Sequence, residues 1–102
     1  DDIHLPSNLV SLILAIAGDS ADNVIGIEGI GYKKIVDFLY HCNDIIDWSL
    51  DNFENLNKIL DLDENQFSKK THKTLLSKLK ENKDLIEKNL KLTDFKYLCE
   101  NL

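Results

Sequence analysis

The chain has no arginine and no methionine, one proline, one tryptophan, two cysteines and four glycines among 102 residues. No initiator methionine and no basic segment leading into an apolar one are present, so it reads as an excised domain without a signal peptide. Cys42 and Cys99 stand far apart in the sequence with no Cys-x-x-Cys partner. They give no basis for a zinc site or a disulfide framework, and the expectation is a reducing, intracellular setting. No apolar run approaches the roughly 18 residues that a membrane span requires. The longest candidate, Leu9 to Ala17, is interrupted by Ser11 and ends at Gly18. A soluble chain without a membrane partner is expected. Period-two strands, internal repeats and low-complexity tracts are absent as well.

The lack of arginine leaves 12 lysines as the only strong bases, and the net charge is -6. That balance opposes a nucleic-acid partner, which usually meets a basic surface. The distribution tells otherwise: residues 1–68 hold 3 lysines against 13 acids, whereas residues 69–96 hold 9 lysines against 4 acids. Lys69, Lys70, Lys73, Lys78 and Lys80 are candidates for a phosphate-facing patch, or for an ordinary solvated helix face.

What is present is helical periodicity. At 43 % hydrophobic, the length suits one compact domain. From Ser7 to Ala17 the apolar residues surround most of a helix, with Pro6 ahead of it, which predicts burial on more than one side. Tyr32 to Tyr40 resumes the period with Ile35, Val36 and Leu39. Asn43 or Asp44 can cap a short segment holding Ile45, Ile46 and Trp48, and Asp51 to Leu62 forms a further helix. Phe67 to Lys80 and Lys83 to Leu92 make one broken helix or two separate ones, and Thr93 with Asp94 caps a last short helix carrying Phe95, Leu98 and Cys99. The expected fold is all-α. Trp48, Phe38, Phe53 and Phe67 should pack in the core, as should Leu75, Leu76 and Leu79. His4, His41 and His72 show no ligand spacing and are expected at the surface or its boundary.

The first two helices are joined by Gly18-Asp19-Ser20-Ala21-Asp22-Asn23-Val24-Ile25-Gly26-Ile27-Glu28-Gly29-Ile30-Gly31-Tyr32-Lys33-Lys34. Two carboxylates three apart can face a metal ion. Gly26, Gly29 and Gly31 allow tight turns whose carbonyls can converge on a cation and whose amides, ahead of a helix, can face a phosphate. Metal and phosphate together suggest a nucleic-acid backbone. The segment is not a P-loop, since the lysine is one place late and no hydroxyl follows, and it is not a dinucleotide fingerprint. Asp61-Leu62-Asp63-Glu64-Asn65 imitates a calcium loop but continues with Gln66 and His72 where glycine and glutamate are needed.

This segment, from Gly18 through Lys33, resembles the helix-three-turn-helix signature of the 5′-to-3′ exonuclease and flap endonuclease family, which includes the 5′-nuclease domain of bacterial DNA polymerase I and phage-type exonucleases. The match runs from about Pro6 to Leu39, with a weaker echo over Leu79 to Leu98 in which Asn89-Leu90-Lys91-Leu92 looks like the short segment that returns toward the catalytic half. The resemblance implies a compact helical domain with a helix-hairpin-helix-like, SAM-like DNA-binding motif. It implies that Asp19 and Asp22 are catalytic and stand at the edge of a site for Mg²⁺ or Mn²⁺. It also implies a K⁺ held by the backbone carbonyls of Ile27 and Ile30, and DNA contacts from Gly26, Ile27, Gly29, Ile30, Gly31, Lys33 and Lys34. Tyr32 and Lys34 depart from the proline and threonine common at those places.

On this reading residues 1–102 are a monomeric C-terminal subdomain that binds duplex DNA in replication or repair, possessing no nuclease activity of its own. The catalytic α/β domain is absent from the chain, and the parent would act inside the cell, in an organelle or elsewhere, where DNA is copied. A non-catalytic DNA-binding module and a helical protein-interaction domain are the alternatives.

Overall fold

In the computed structural model, residues 6–100 are described, except for the side chains of Asp22 and residues 94–100. Five α-helices follow in order: α1 Leu9–Ala17, α2 Tyr32–Cys42, α3 Asn52–Leu60, α4 Lys70–Glu81 and α5 Lys83–Glu100. Two 3-10 turns, Ser20–Asp22 and Glu64–Gln66, punctuate the connections. Among the described residues there is no strand, only an isolated bridge between Asp19 and Val24. The radius of gyration is 12.9 Å, in line with the ~13 Å of a folded chain of about 100 residues. No helix among the described residues is long and apolar enough to cross a membrane.

The central element is α1. Leu9, Leu12, Ile13, Ala15 and Ile16 are all buried, and α1 packs against α2, α3 and α5. Its nearly all-round apolar surface is therefore explained by three neighbours. The amphipathic α2 buries Ile35, Phe38, Leu39 and Cys42, at the i, i+3, i+4, i+7 spacing of one helical face. Val36 sits at the rim, and Phe38 takes the centre of that face, stacked on Phe67 with ring centroids 5.1 Å apart. Burial pushes the Cys42 thiol up to about 12, which leaves it a small core hydrophobe rather than a nucleophile. The expected core aromatics and the leucines of α4 are in place, with Trp48 and Phe53 half-buried.

Three local expectations fail for reasons the side chains supply. Asn43 caps no helix, because its Oδ1 accepts a 3.0 Å hydrogen bond from the Trp48 indole and residues 46–50 are irregular. Thr93 starts no helix either. It lies inside α5, and its hydroxyl donates to the Ser11 carbonyl at 3.1 Å. The side chains of Phe95, Leu98 and Cys99 lie outside the described residues. The helix expected from Phe67 begins only at Lys70, since the preceding turn closes with a capping box between Asp63 and Gln66. Asn82 separates α4 from α5, so these are two helices.

The carbonyls at the end of α1 position the connection to α2. A helix leaves its last four carbonyls without intrahelical partners. Here Leu14 accepts from the Gly18 N–H at 2.8 Å and Ile16 from the Ile27 N–H at 2.9 Å. Ala15 accepts at 3.0 Å from the amide of Asn89, a buried residue of α5. That same amide donates to the Ile25 carbonyl at 2.8 Å. The connection between α1 and α2 is thus fastened to α1 and α5 together. Truncating Asn89→Ala should cost about 1–3 kcal/mol, because the buried Ala15 carbonyl loses its donor. Thermal unfolding would then show a fall of about 4–8 °C per kcal/mol in a domain of this size; an unchanged melting temperature would contradict the fastening role.

Candidate nucleic-acid interface

The connection leaves α1 through Gly18 at φ 93° and returns to lie against it. Between those points Asp19 and Val24 exchange backbone hydrogen bonds of 2.8 and 2.9 Å. The Asp19 carboxylate accepts from the Ala21 N–H at 3.1 Å, and Asn23, at φ 58°, reverses the chain. Asparagine tolerates that left-handed conformation better than most residues. Gly26 then passes so close to α1 that a Cβ on it would run into the Ala17 carbonyl group and the Gly18 nitrogen. Beyond it, the side chains of Ile27 and Ile30 are buried in the core, and the Ile30 N–H donates to the Ile27 carbonyl at 3.1 Å.

The three glycines therefore do three different things. Gly26 permits a backbone-on-backbone crossing, Gly29 supplies a positive φ of 86°, and Gly31 faces open space, with nothing within 4 Å of where its Cβ would be. Gly31 is also the N-cap of α2 and offers no side chain to the first turn. The N–H groups of that turn consequently point outward with the positive end of the helix dipole behind them.

Lysines converge on this turn from two elements. Lys34 Nζ donates to the Gly29 carbonyl at 3.2 Å, and the Lys78 ammonium from α4 sits where a Gly29 Cβ would point, 2.8 Å from that position. Neither ammonium has a carboxylate within 4.0 Å among the described residues. The groove between the turn and α4 has a volume of about 450 Å³ and is lined by Gly29, Ile30, Lys34, Lys70, His72 and Lys78, among others. Two unneutralised ammonium groups held at one turn repel each other, and an anion between them relieves that repulsion.

Of the other residues expected to act, Lys33 is exposed on the first turn of α2. Lys80 is drawn away, donating to the Leu62 carbonyl at 3.0 Å. Asp19 lines a different cleft from the lysines, with Ser20, Asn23 and Gly26; the Asp22 side chain lies outside the described residues. No second and third carboxylate, histidine or cysteine converge with Asp19 among the described residues. The turn at Ile27 and Ile30 presents backbone carbonyls, of which that of Ile27 already accepts one hydrogen bond.

Lys78 stood among the candidates for a phosphate-facing patch, but its place at this turn, the role of Asn89 and the burial of His72 escape the sequence patterns. Asn89 and Lys78 reach the loop across 64 and about 50 positions of chain, a separation that no local pattern reveals. His72, expected at the surface or its boundary, is instead buried. Its Nε2–H donates to Asp37 Oδ2 at 2.9 Å, and its ring meets Phe38 and Phe67 edge-on. This hydrogen bond holds the Asp37 carboxyl below its ordinary value, outweighing the opposing effect of partial burial. His4 lies outside the described residues.

No family model matches the chain, and no curated protein or solved structure matches it. The division among the glycines has a direct consequence for stability. Gly26→Ala should destabilise by about 1–3 kcal/mol through overpacking against backbone, whereas Gly31→Ala should cost less than about 1 kcal/mol, the scale of a helix-cap change. Urea denaturation of the two variants checks this, and equal losses would refute the distinction.

Proposed function

We propose that this chain is the DNA-binding helical subdomain of a Mg²⁺-dependent, structure-selective 5′-3′ exonuclease or flap endonuclease of DNA replication or repair. Its connection from α1 to α2 serves as a helix-three-turn-helix grip on the backbone of duplex DNA, without reading sequence. The observation that carries this reading is the meeting of Lys34 and Lys78 at Gly29, beside the uncapped start of α2. Amides at a helix start and paired ammonium groups are the donors that a phosphate diester needs. Gly31 leaves space for that phosphate to approach, and the turn at Ile27 and Ile30 is where a K⁺ would bridge protein and DNA. The lysine groove also answers the objection raised by the net charge, because the excess of acid lies mostly in residues 1–68.

In this proposal Asp19 and Asp22 are the near edge of a metal site completed by carboxylates of a preceding domain in the parent. Bound Mg²⁺ there would activate water and stabilise the leaving oxygen of a phosphodiester. The chain alone binds DNA and does not cleave it.

Fluorescence anisotropy with a labelled duplex tests the grip. Binding should weaken with salt, be tighter in K⁺ than in Li⁺, and decline in Gly31→Ala. Lys34→Gln and Lys78→Gln should each weaken it and reduce the salt slope by about 1. Affinity and slope unchanged in both lysine variants would refute the groove as the contact. In the full-length parent, Asp19→Asn combined with Asp22→Asn should abolish cleavage and largely spare DNA binding; retained turnover in a gel-based nuclease assay would remove the metal role.

A further inference from the structure

A second cluster of chemistry borders the lysine groove, whose lining includes Asp37 and His72. Asp37 and His41 stand one helical turn apart on α2, and His72 faces them from α4. One ligand atom from each of the three lies within 4.8 Å of the others, the one such group among the described residues. The His41 and His72 rings are 4.4 Å apart between centroids and inclined by 60°, so they are not stacked face to face.

We propose that Asp37, His41 and His72 form a binding site for a transition-metal ion of the Zn²⁺ type, clasping α2 to α4. Two imidazoles and one carboxylate are the donor set of three-ligand zinc sites, with a fourth position left to water. The hard ions Mg²⁺ and Ca²⁺ prefer oxygen ligands throughout and are not matched here. Around a tetrahedral ion with bonds of about 2.0–2.1 Å, neighbouring ligand atoms stand roughly 3.3 Å apart. The observed spread thus needs only a small inward rotation of the side chains.

The site combines one fixed ligand with two adjustable ones. His72 is held by burial and by the edges of Phe38 and Phe67, its side chain only 5 % exposed. Asp37 is 58 % exposed and His41 is exposed, so both can turn toward an ion and solvent can supply the fourth ligand. In the ion's absence the Nε2–H of His72 donates to Asp37. Binding through that nitrogen would replace this hydrogen bond, with the ring proton carried on the other nitrogen. Lys69 is near enough to act on Asp37, and Lys34, Lys70 and Lys78 line the groove that Asp37 and His72 share. The metal site nevertheless has its own readout, Zn²⁺ binding in the absence of DNA.

The test is titration of the 102-residue chain with Zn²⁺ by calorimetry, together with thermal unfolding and ring-nitrogen NMR. One equivalent should bind and raise the melting temperature, with the His41 and His72 resonances shifting. His41→Ala and Asp37→Asn, both at exposed positions, should weaken binding at least as much as the roughly 10–100-fold loss typical of removing an outer-shell partner. They should also abolish the thermal shift. His4→Ala should leave both unchanged, and Mg²⁺ should not compete. Absent 1:1 binding, affinity retained in His41→Ala, or affinity lost in His4→Ala would each overturn the site.

Discussion

The end of α1 has carbonyls that need donors in a place where water is scarce, and satisfying them organises the molecule. One donor comes from Gly18, one from Ile27 and one from Asn89 on α5. Because the Ile27 N–H must reach Ile16, the chain has to fold back onto the helix it has just left. That return is possible only if residues at the crossing lack side chains, which is what Gly18 and Gly26 provide. The bridge between Asp19 and Val24 closes the excursion into a small, self-contained loop. Asn89 then ties the loop to the last helix with a single amide serving two carbonyls.

With the loop so placed, the remaining packing decides its electrostatic surroundings. Phe38 on α2 stacks on Phe67 ahead of α4, and His72 fits against both rings. This contact brings α4 alongside the start of α2, and with it Lys78 over Gly29. Lys34 and Lys78 at Gly29, beside the uncapped amides of α2, are the arrangement on which the proposed phosphate contact rests. The same contact sets His72 opposite Asp37 and His41. The two proposed sites, one for a phosphate and one for a borderline metal ion, therefore rest on one arrangement of α2 and α4.

Much of the scaffold was legible in the chain. The dense apolar pattern of residues 9–17 announced a helix buried on several sides, and Ile35, Val36 and Leu39 marked the helical period of α2. The glycine spacing marked the loop. Local patterns misled where a polar side chain had a stronger distant partner. Asn43 bonds to Trp48 rather than to a helix start, and Thr93 bonds across to Ser11 rather than capping its own helix. His72 was misplaced for a similar reason: its burial is offset by Asp37, which is 35 positions away.

The all-helical character, the main apolar faces and the position of the glycine loop follow from local pattern, because periodicity and glycine chemistry act over a few residues. The sequence also set out the lysines of α4 as candidates without saying what they faced. The tertiary structure decided which glycine needs close packing and which leaves space, which lysines reach the turn, and that Asp37, His41 and His72 meet. Those are distances between elements far apart in the chain, and they exist only once apolar burial and the pairing of buried polar groups have set one helix against another.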